Sequence, residues 1–155
     1  LNPAAWRPGR MGFATCLPID PPGPPVYFPL HGTSKERCRQ ILLATTALPY
    51  IFAPVEIDGA LYVDGGTTGG DNIPVRPVYE QGCDLIFVIH LKQDGPLDPT
   101  PFPGARLVQL IPSESLGGFA DGTMDFDGAH AVRRMELGYK DMMACLANLD
   151  LSRLE

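Results

Sequence analysis

The stretch Ala44–Leu91, ATTALPYIFAPVEIDGALYVDGGTTGGDNIPVRPVYEQGCDLIFVIHL, decides the fold reading. Within it Leu61-Tyr62-Val63 reads as a short strand that follows the turn pair Asp58-Gly59. The strand ends at Asp64 and turns at once into Gly65-Gly66. Open α/β sheets place their ligands at the C-terminal ends of strands. Glycines permit a sharp turn and close approach by another group. Asp64 is therefore the candidate catalytic residue, a carboxylate held at the rim of a sheet. It can serve as a general base if its surroundings tune its proton affinity. Downstream, residues 75–81 fit a short helix with Gly82 as its C-cap. Leu85 to Leu91 (LIFVIHL) is a continuous apolar run, the pattern of a strand buried on both faces.

Two plainer readings stand beside that one. An Asp before Gly commonly bonds its own backbone in a turn. Asp64, Asp71 and Asn72 also supply oxygen ligands of the kind calcium takes. The EF-hand spacing is absent, however, and Asp125-Phe126-Asp127-Gly128 lacks the downstream Glu of such a loop.

Residues 11–17 (MGFATCL) and 26–30 (VYFPL) read as two strands, joined by the proline-dense turn Pro18 to Pro25. Thr33 and Glu36 have capping-box spacing, and Ile41, Leu42, Ala44 and Ala47 continue a helix that Pro49 stops. Arg106 to Ile111 is a further strand candidate. Val132, Met135, Tyr139, Met142, Leu146 and Leu149 recur at intervals of three and four, which puts them on one helix face. Asp125 or Asp127 can cap that helix, and its Met and aromatic stripe reads as core. Strands alternating with helices predict an α/β fold with a partly parallel sheet.

Length and composition bound the functions. A chain of 155 residues is about one domain, and 45% apolar residues suffice for a core. The 17 Gly and 17 Pro imply many turns. A net charge of −6 argues against nucleic acid as a partner, because phosphate contacts need clustered Lys and Arg. No apolar run approaches the ~20 residues of a membrane span. The start, Leu1 to Pro8, shows neither a leader pattern nor an initiator Met, which suggests a processed or truncated beginning. Cys16, Cys38, Cys83 and Cys145 form no C-x-x-C pair, so reduced thiols and a cytoplasmic setting are expected. No cofactor is called for.

The order of motifs in Ala44–Leu91 resembles the patatin-like phospholipase family. The matching features are Ala44-Thr45-Thr46-Ala47-Leu48-Pro49, Ala53-Pro54-Val55, Asp58-Gly59, Leu61-Tyr62-Val63, Asp64-Gly65-Gly66, Asn72-Ile73-Pro74, Gly82-Cys83-Asp84 and the strand Leu85 to Leu91. Residues 11–43 and 104–146 resemble the family more loosely. The resemblance implies a three-layer α/β fold with a mainly parallel central sheet flanked by helices. Residues 1–155 would be the C-terminal part of one such domain. It also implies a lipid acyl hydrolase with a Ser–Asp dyad, the Asp at Asp64, acting on a lipid or other ester and touching a membrane surface transiently. In that family the Ser stands on a G-x-S-x-G elbow, with an upstream glycine-rich loop supplying the oxyanion hole.

This sequence contains no G-x-S-x-G. Ser34 opens a helix, and Ser115 lacks the flanking glycines of an elbow. The elbow and oxyanion loop are therefore expected upstream, on a companion polypeptide that also completes the sheet. The chain by itself is expected to be inactive. The loop from Asp64 to Asn72 is two residues longer than the family pattern, through Gly69-Gly70. His90, inside the apolar strand, is the alternative base of a Ser-His-Asp enzyme. His31 and His130, at element boundaries, read as capping or surface residues. The alternative function is a non-catalytic binding or interaction module derived from the same fold.

Overall fold

The computed structural model describes residues 9–149. The reading of the start, Leu1 to Pro8, lies outside them. The chain divides into two compact units, Leu1–Pro77 and Val78–Glu155, and it is mixed α/β in content.

The first unit contains β1 (Phe13–Asp20), β2 (Val26–Pro29), α1 (Lys35–Ala44), β3 (Val55–Ile57) and β4 (Ala60–Asp64). Its sheet has the order β2-β1-β4-β3, and every neighbouring pair is antiparallel. The expected mainly parallel central sheet is thus corrected. The reason is local. Asp58 and Gly59 have φ of 53° and 80°, and Ile57 pairs with Ala60 across them. Two residues with positive φ make a type I′ hairpin, whereas a parallel connection needs a crossover of a dozen residues or more.

α1 packs on β1, β3 and β4. Cys38, Ile41 and Ala44 from the helix meet Ala14, Cys16, Leu30 and Ile57 in one buried cluster. Phe28 and Tyr62 close its edge in a T-shaped pair at 5.2 Å. The helix is capped by Ser34, whose Oγ accepts from Arg37 N at 3.2 Å. The expected cap, Thr33, instead donates to Pro29 O. Both residues have the chemistry of a cap, and one residue of register separated them. α1 ends at Ala44, so Pro49 does not terminate it. Pro49 turns a corner, with Ile51 N bonded to Leu48 O at 3.1 Å.

A short helix, α2 (Arg76–Tyr79), lies where sequence placed one, and Gly82 follows with φ 83°. The second unit contains β5 (Leu85–Ile89), β6 (Arg106–Leu110), a π-helical turn at Phe119–Thr123, and α3 (Gly128–Ala147). β5 and β6 are parallel, from Leu85↔Arg106 to Ile89↔Leu110. α3 is capped by Asp127, which accepts from the backbone N–H of Ala129 and His130.

Two burial expectations fail in this unit. β5 alternates: Ile86 and Val88 are buried, while Phe87 and Ile89 are exposed, Ile89 by 62%. No residue of α3 is buried, and Met135 on its apolar stripe is 73% exposed. Apolar periodicity identifies which face a helix would bury. It carries no information on whether a partner element covers that face.

Candidate active site

Asp64 is the last residue of β4, as the sequence reading required. β4 is an interior strand, paired with β1 and β3. Cys16 lies directly opposite Asp64. The Asp64 backbone N–H donates to Ala47 O at 3.0 Å, tying the strand end to the segment that leaves α1. Thr45 Oγ1 donates to Thr15 O at 2.7 Å and fixes the same segment from the other side.

The carboxylate is half-buried. Its Oδ1 accepts from Gly66 N–H at 2.7 Å, so the turn-closing role is real. That bond occupies one oxygen; Oδ2 has no donor among the described residues. The free charge is felt next door. Burial, and then the nearby Asp64 carboxylate, push the Cys16 thiol up to about 12.

The glycines that follow are required by contact. A Cβ on Gly65 would stand 2.5 Å from Thr15 O. One on Gly66 would stand 2.7 Å from Asn72 Oδ1 and 3.1 Å from Asp64 Oδ1. One on Gly70 would stand 2.1 Å from Gly65 O. Real Cβ atoms do not tolerate the distances from backbone oxygen found at Gly65 and Gly70, so the Asp64–Asn72 loop closes as it does only because these two positions lack side chains; at Gly66 the neighbours are side-chain oxygens. The additional Gly69-Gly70 pair is thus part of the closure. Gly69 has φ 88°, and Gly70 N–H donates to Thr67 O at 2.8 Å.

Asp71 has a supporting role. Its Oδ1 accepts from Ile73 N–H at 3.0 Å, and its Oδ2 from the Tyr27 hydroxyl at 2.5 Å. Both oxygens are satisfied within the protein. Among the described residues no group of three or more His, Cys, Asp or Glu side chains is arranged to hold a metal ion. The calcium reading of Asp64, Asp71 and Asn72 therefore gains no support.

His90 is buried in the second unit, and its Nε2 meets Gln109 Oε1 at 2.9 Å. Gln109 is fixed by Leu97, whose N–H it accepts and whose carbonyl it donates to. Oε1 is therefore the acceptor, and His90 Nε2 carries the proton. His90 Nδ1 is buried and has no hydrogen-bond partner among the described residues. His31 contacts the Gly12 backbone and the edge of Phe13. His130 sits in the first turn of α3 with Nδ1 2.8 Å from Asp125 Oδ2.

Sequence reasoning missed a polar cluster around Asp125. It accepts from Asp127 N–H, pairs with His130, and receives Arg134 Nη2 at 2.6 Å. These bonds, the Asp127 backbone first, lower the Asp125 carboxyl to about 2. Arg134 also donates to Asp121 O, so the cluster pins the π-helical turn to α3. The side-chain partners His130 and Arg134 stand five and nine residues from Asp125, and only the cap at Asp127 had a sequence signal.

A family model described as Patatin-like phospholipase matches residues 17–79. That stretch lies in the N-terminal part of the chain, includes Asp64 and the loop to Asn72, and stops short of β5. The resemblance is therefore centred further upstream than Ala44–Leu91, and residues 17–43, read as the looser part, fall within it. The chain is similar to patatin-like phospholipases, a family of lipid hydrolases, over this segment, which is less than half its length. No curated protein matches it.

Proposed function

We propose that this chain supplies the aspartate of a Ser–Asp dyad in a lipid acyl hydrolase. The observation that carries the reading is Asp64: a carboxylate at the end of an interior strand, one oxygen held by Gly66 N–H and the other free, on a glycine turn with no room for side chains. The serine belongs to a companion segment bearing G-x-S-x-G. Asp64 Oδ2 takes the Ser Oγ proton as the oxygen attacks the ester carbonyl. The proton passes to the departing alcohol. Water, deprotonated by the same carboxylate, then attacks the acyl-enzyme carbonyl; the Ser Oγ–acyl bond breaks, the proton returns from the carboxyl to Ser Oγ, and the fatty acid leaves. The free cysteines are compatible with a cytoplasmic setting for this chemistry.

The companion also has a structural task. The exposed Phe87 and Ile89 of β5, and the uncovered stripe of α3, are surfaces that such a segment would cover. The test is hydrolysis of a nitrophenyl butyrate ester by the 155-residue chain, with and without a companion carrying the elbow. The expected result is no turnover alone, turnover with the companion, and loss of turnover on Asp64→Asn. Turnover by the chain alone that depends on Ser34 or Ser115 would overturn the reading.

The second reading is a non-catalytic interaction module. The same uncovered faces favour it, because they would bind a partner without any chemistry at Asp64. A companion-bound complex that hydrolyses no ester would favour this reading.

A further inference from the structure

Between Arg39 and Glu56 the chain carries no charged residue. In the middle of this interval Tyr50, Ile51 and Phe52 stand consecutively in solvent, Tyr50 fully exposed and Phe52 56% exposed. Three adjacent large apolar side chains outside the core are unusual in one loop of a water-soluble surface. The loop is not loosely built. Leu48 O accepts from Ile51 N–H at 3.1 Å and from Phe52 N–H at 3.0 Å.

The turn chemistry adds a second observation. Leu48-Pro49-Tyr50-Ile51 is bonded end to end, with Pro in the second position and a φ of 69° at Tyr50 in the third. This is the pattern of a type II turn, whose third position normally holds Gly or Asn because it needs positive φ. A tyrosine there is strained, and nothing buries its ring in return. The ring is thus available to a surface outside the unit.

The third observation is position. The segment leading into this turn is bonded to the site: Ala47 O receives the Asp64 backbone N–H. The apolar tip thus projects from the same ordered stretch that holds the end of β4.

We infer that Tyr50, Ile51 and Phe52 form an interfacial anchor that inserts into an uncharged lipid surface beside Asp64. Aromatic and aliphatic side chains partition into the headgroup boundary, and tyrosine suits it because its ring is apolar and its hydroxyl stays wet. The lipid must be recognised by insertion and not by charge. The loop has no Lys or Arg, and the chain carries a net charge of −6, which an anionic surface repels. The link to ester hydrolysis rests on the proposed dyad; the anchoring itself does not require it.

The experiment is flotation of the 155-residue chain with phosphatidylcholine vesicles. Native chain is expected to float with them, with an affinity insensitive to salt and not raised by phosphatidylserine. Phe52→Ser should weaken partitioning about tenfold or more, the loss expected from exposing one phenyl group. Tyr50→Asn separates anchoring from folding. Asn tolerates positive φ, so thermal stability is expected to hold or rise while vesicle binding falls. Asp64→Asn should bind vesicles as the native chain does, so loss of hydrolysis and loss of anchoring are read separately. Ile89→Ser and Met135→Ser, on other exposed apolar faces, should also leave flotation unchanged. The inference is overturned if native chain does not float, if binding needs anionic lipid, or if Ile89→Ser or Met135→Ser abolishes it while Phe52→Ser does not. It is equally overturned if the loop variants change only self-association or capture of a protein.

Discussion

The Tyr27 hydroxyl donates to Asp71 Oδ2 at 2.5 Å, joining β2 to the loop that follows Asp64 across 44 positions of sequence. Because Asp71 Oδ1 also accepts from Ile73 N–H, one carboxylate fixes both the far end of the glycine loop and its exit. Tyr27→Phe removes the donor and leaves a half-buried carboxylate oxygen short of a partner. The expected cost is about 1–3 kcal/mol in urea unfolding. Hydrogen exchange at Ile73 N–H should accelerate more than at Ile41 N–H in α1. Equal acceleration at both sites would mean global loosening and no specific lock.

Asp64→Asn separates the two roles of that side chain. The amide oxygen of Asn can still accept from Gly66 N–H, so the turn survives and stability should change by less than about 0.5 kcal/mol. The proposed proton-accepting role is lost. In the companion-complemented esterase assay, turnover should fall by roughly 10²–10⁴-fold, the usual contribution of a general base.

The steric demand at Gly65 makes a sharp contrast with Gly128. A methyl group at Gly65 meets Thr15 O at 2.5 Å, while one at Gly128, in the first turn of α3, meets nothing within 4 Å. Gly65→Ala should destabilise by about 1–3 kcal/mol through overpacking. Gly128→Ala should be neutral or stabilising by up to about 1 kcal/mol. Thermal melts of the two variants give opposite signs.

Thiol reactivity should follow burial. Cys83 is exposed, Cys145 intermediate, and Cys16 and Cys38 buried. Iodoacetamide at pH 8 should modify Cys83 first and leave Cys16 intact until the chain unfolds, because the thiolate is the reactive form. Burial, and then Asp64, raise the Cys16 thiol from 9.0 to about 12. The folded state thus favours the protonated thiol. This contribution to stability is complete below pH 9 and is lost as pH rises towards 12.

The Asp125 cluster has the opposite sign. Its carboxyl is lowered from 3.8 to about 2 by the Asp127 backbone, His130 and Arg134. Folding therefore favours the charged form. The contribution is complete above pH 4 and is lost as pH falls towards 2. Acid titration should release the 119–127 segment from α3. Asp125→Asn should remove most of that acid sensitivity, as followed by amide shifts of Gly122 and Thr123.

The local signals in the sequence were specific where chemistry is local. Asp64 before two glycines, Asp58-Gly59, the strand Leu61-Tyr62-Val63, the helix cap at Asp127 and the C-cap at Gly82 all depend on residues within a few positions of one another. Strand direction was not legible from alternation of elements, because α1 is followed by a hairpin and not by a crossover. Burial of β5 and α3 was not legible either, since it depends on what lies across from Phe87 or Met135. The Tyr27–Asp71 bond and the Arg134–Asp125 pair carry no pattern in sequence: each is a product of the tertiary fold. Tyr50 was readable in principle, as a non-glycine after Pro49 where a turn was required.

The pairing of β1 with β4 is regular from Cys16↔Asp64 to Pro18↔Tyr62 and then slips, with Asp20 opposite Leu61 and Ile19 left over. The extra residue sits at the end of the strand pair remote from Asp64. Successive side chains on a strand point to opposite faces, so one residue inserted between Val63 and Asp64 would send the carboxylate through the sheet to the other side. The same insertion near Ile19 is already accommodated. Length variation is therefore channelled: indels can be absorbed at the bulge near Ile19, remote from the glycine closure that holds Asp64. The three-residue run Tyr62-Val63-Asp64 must instead be inherited at fixed length.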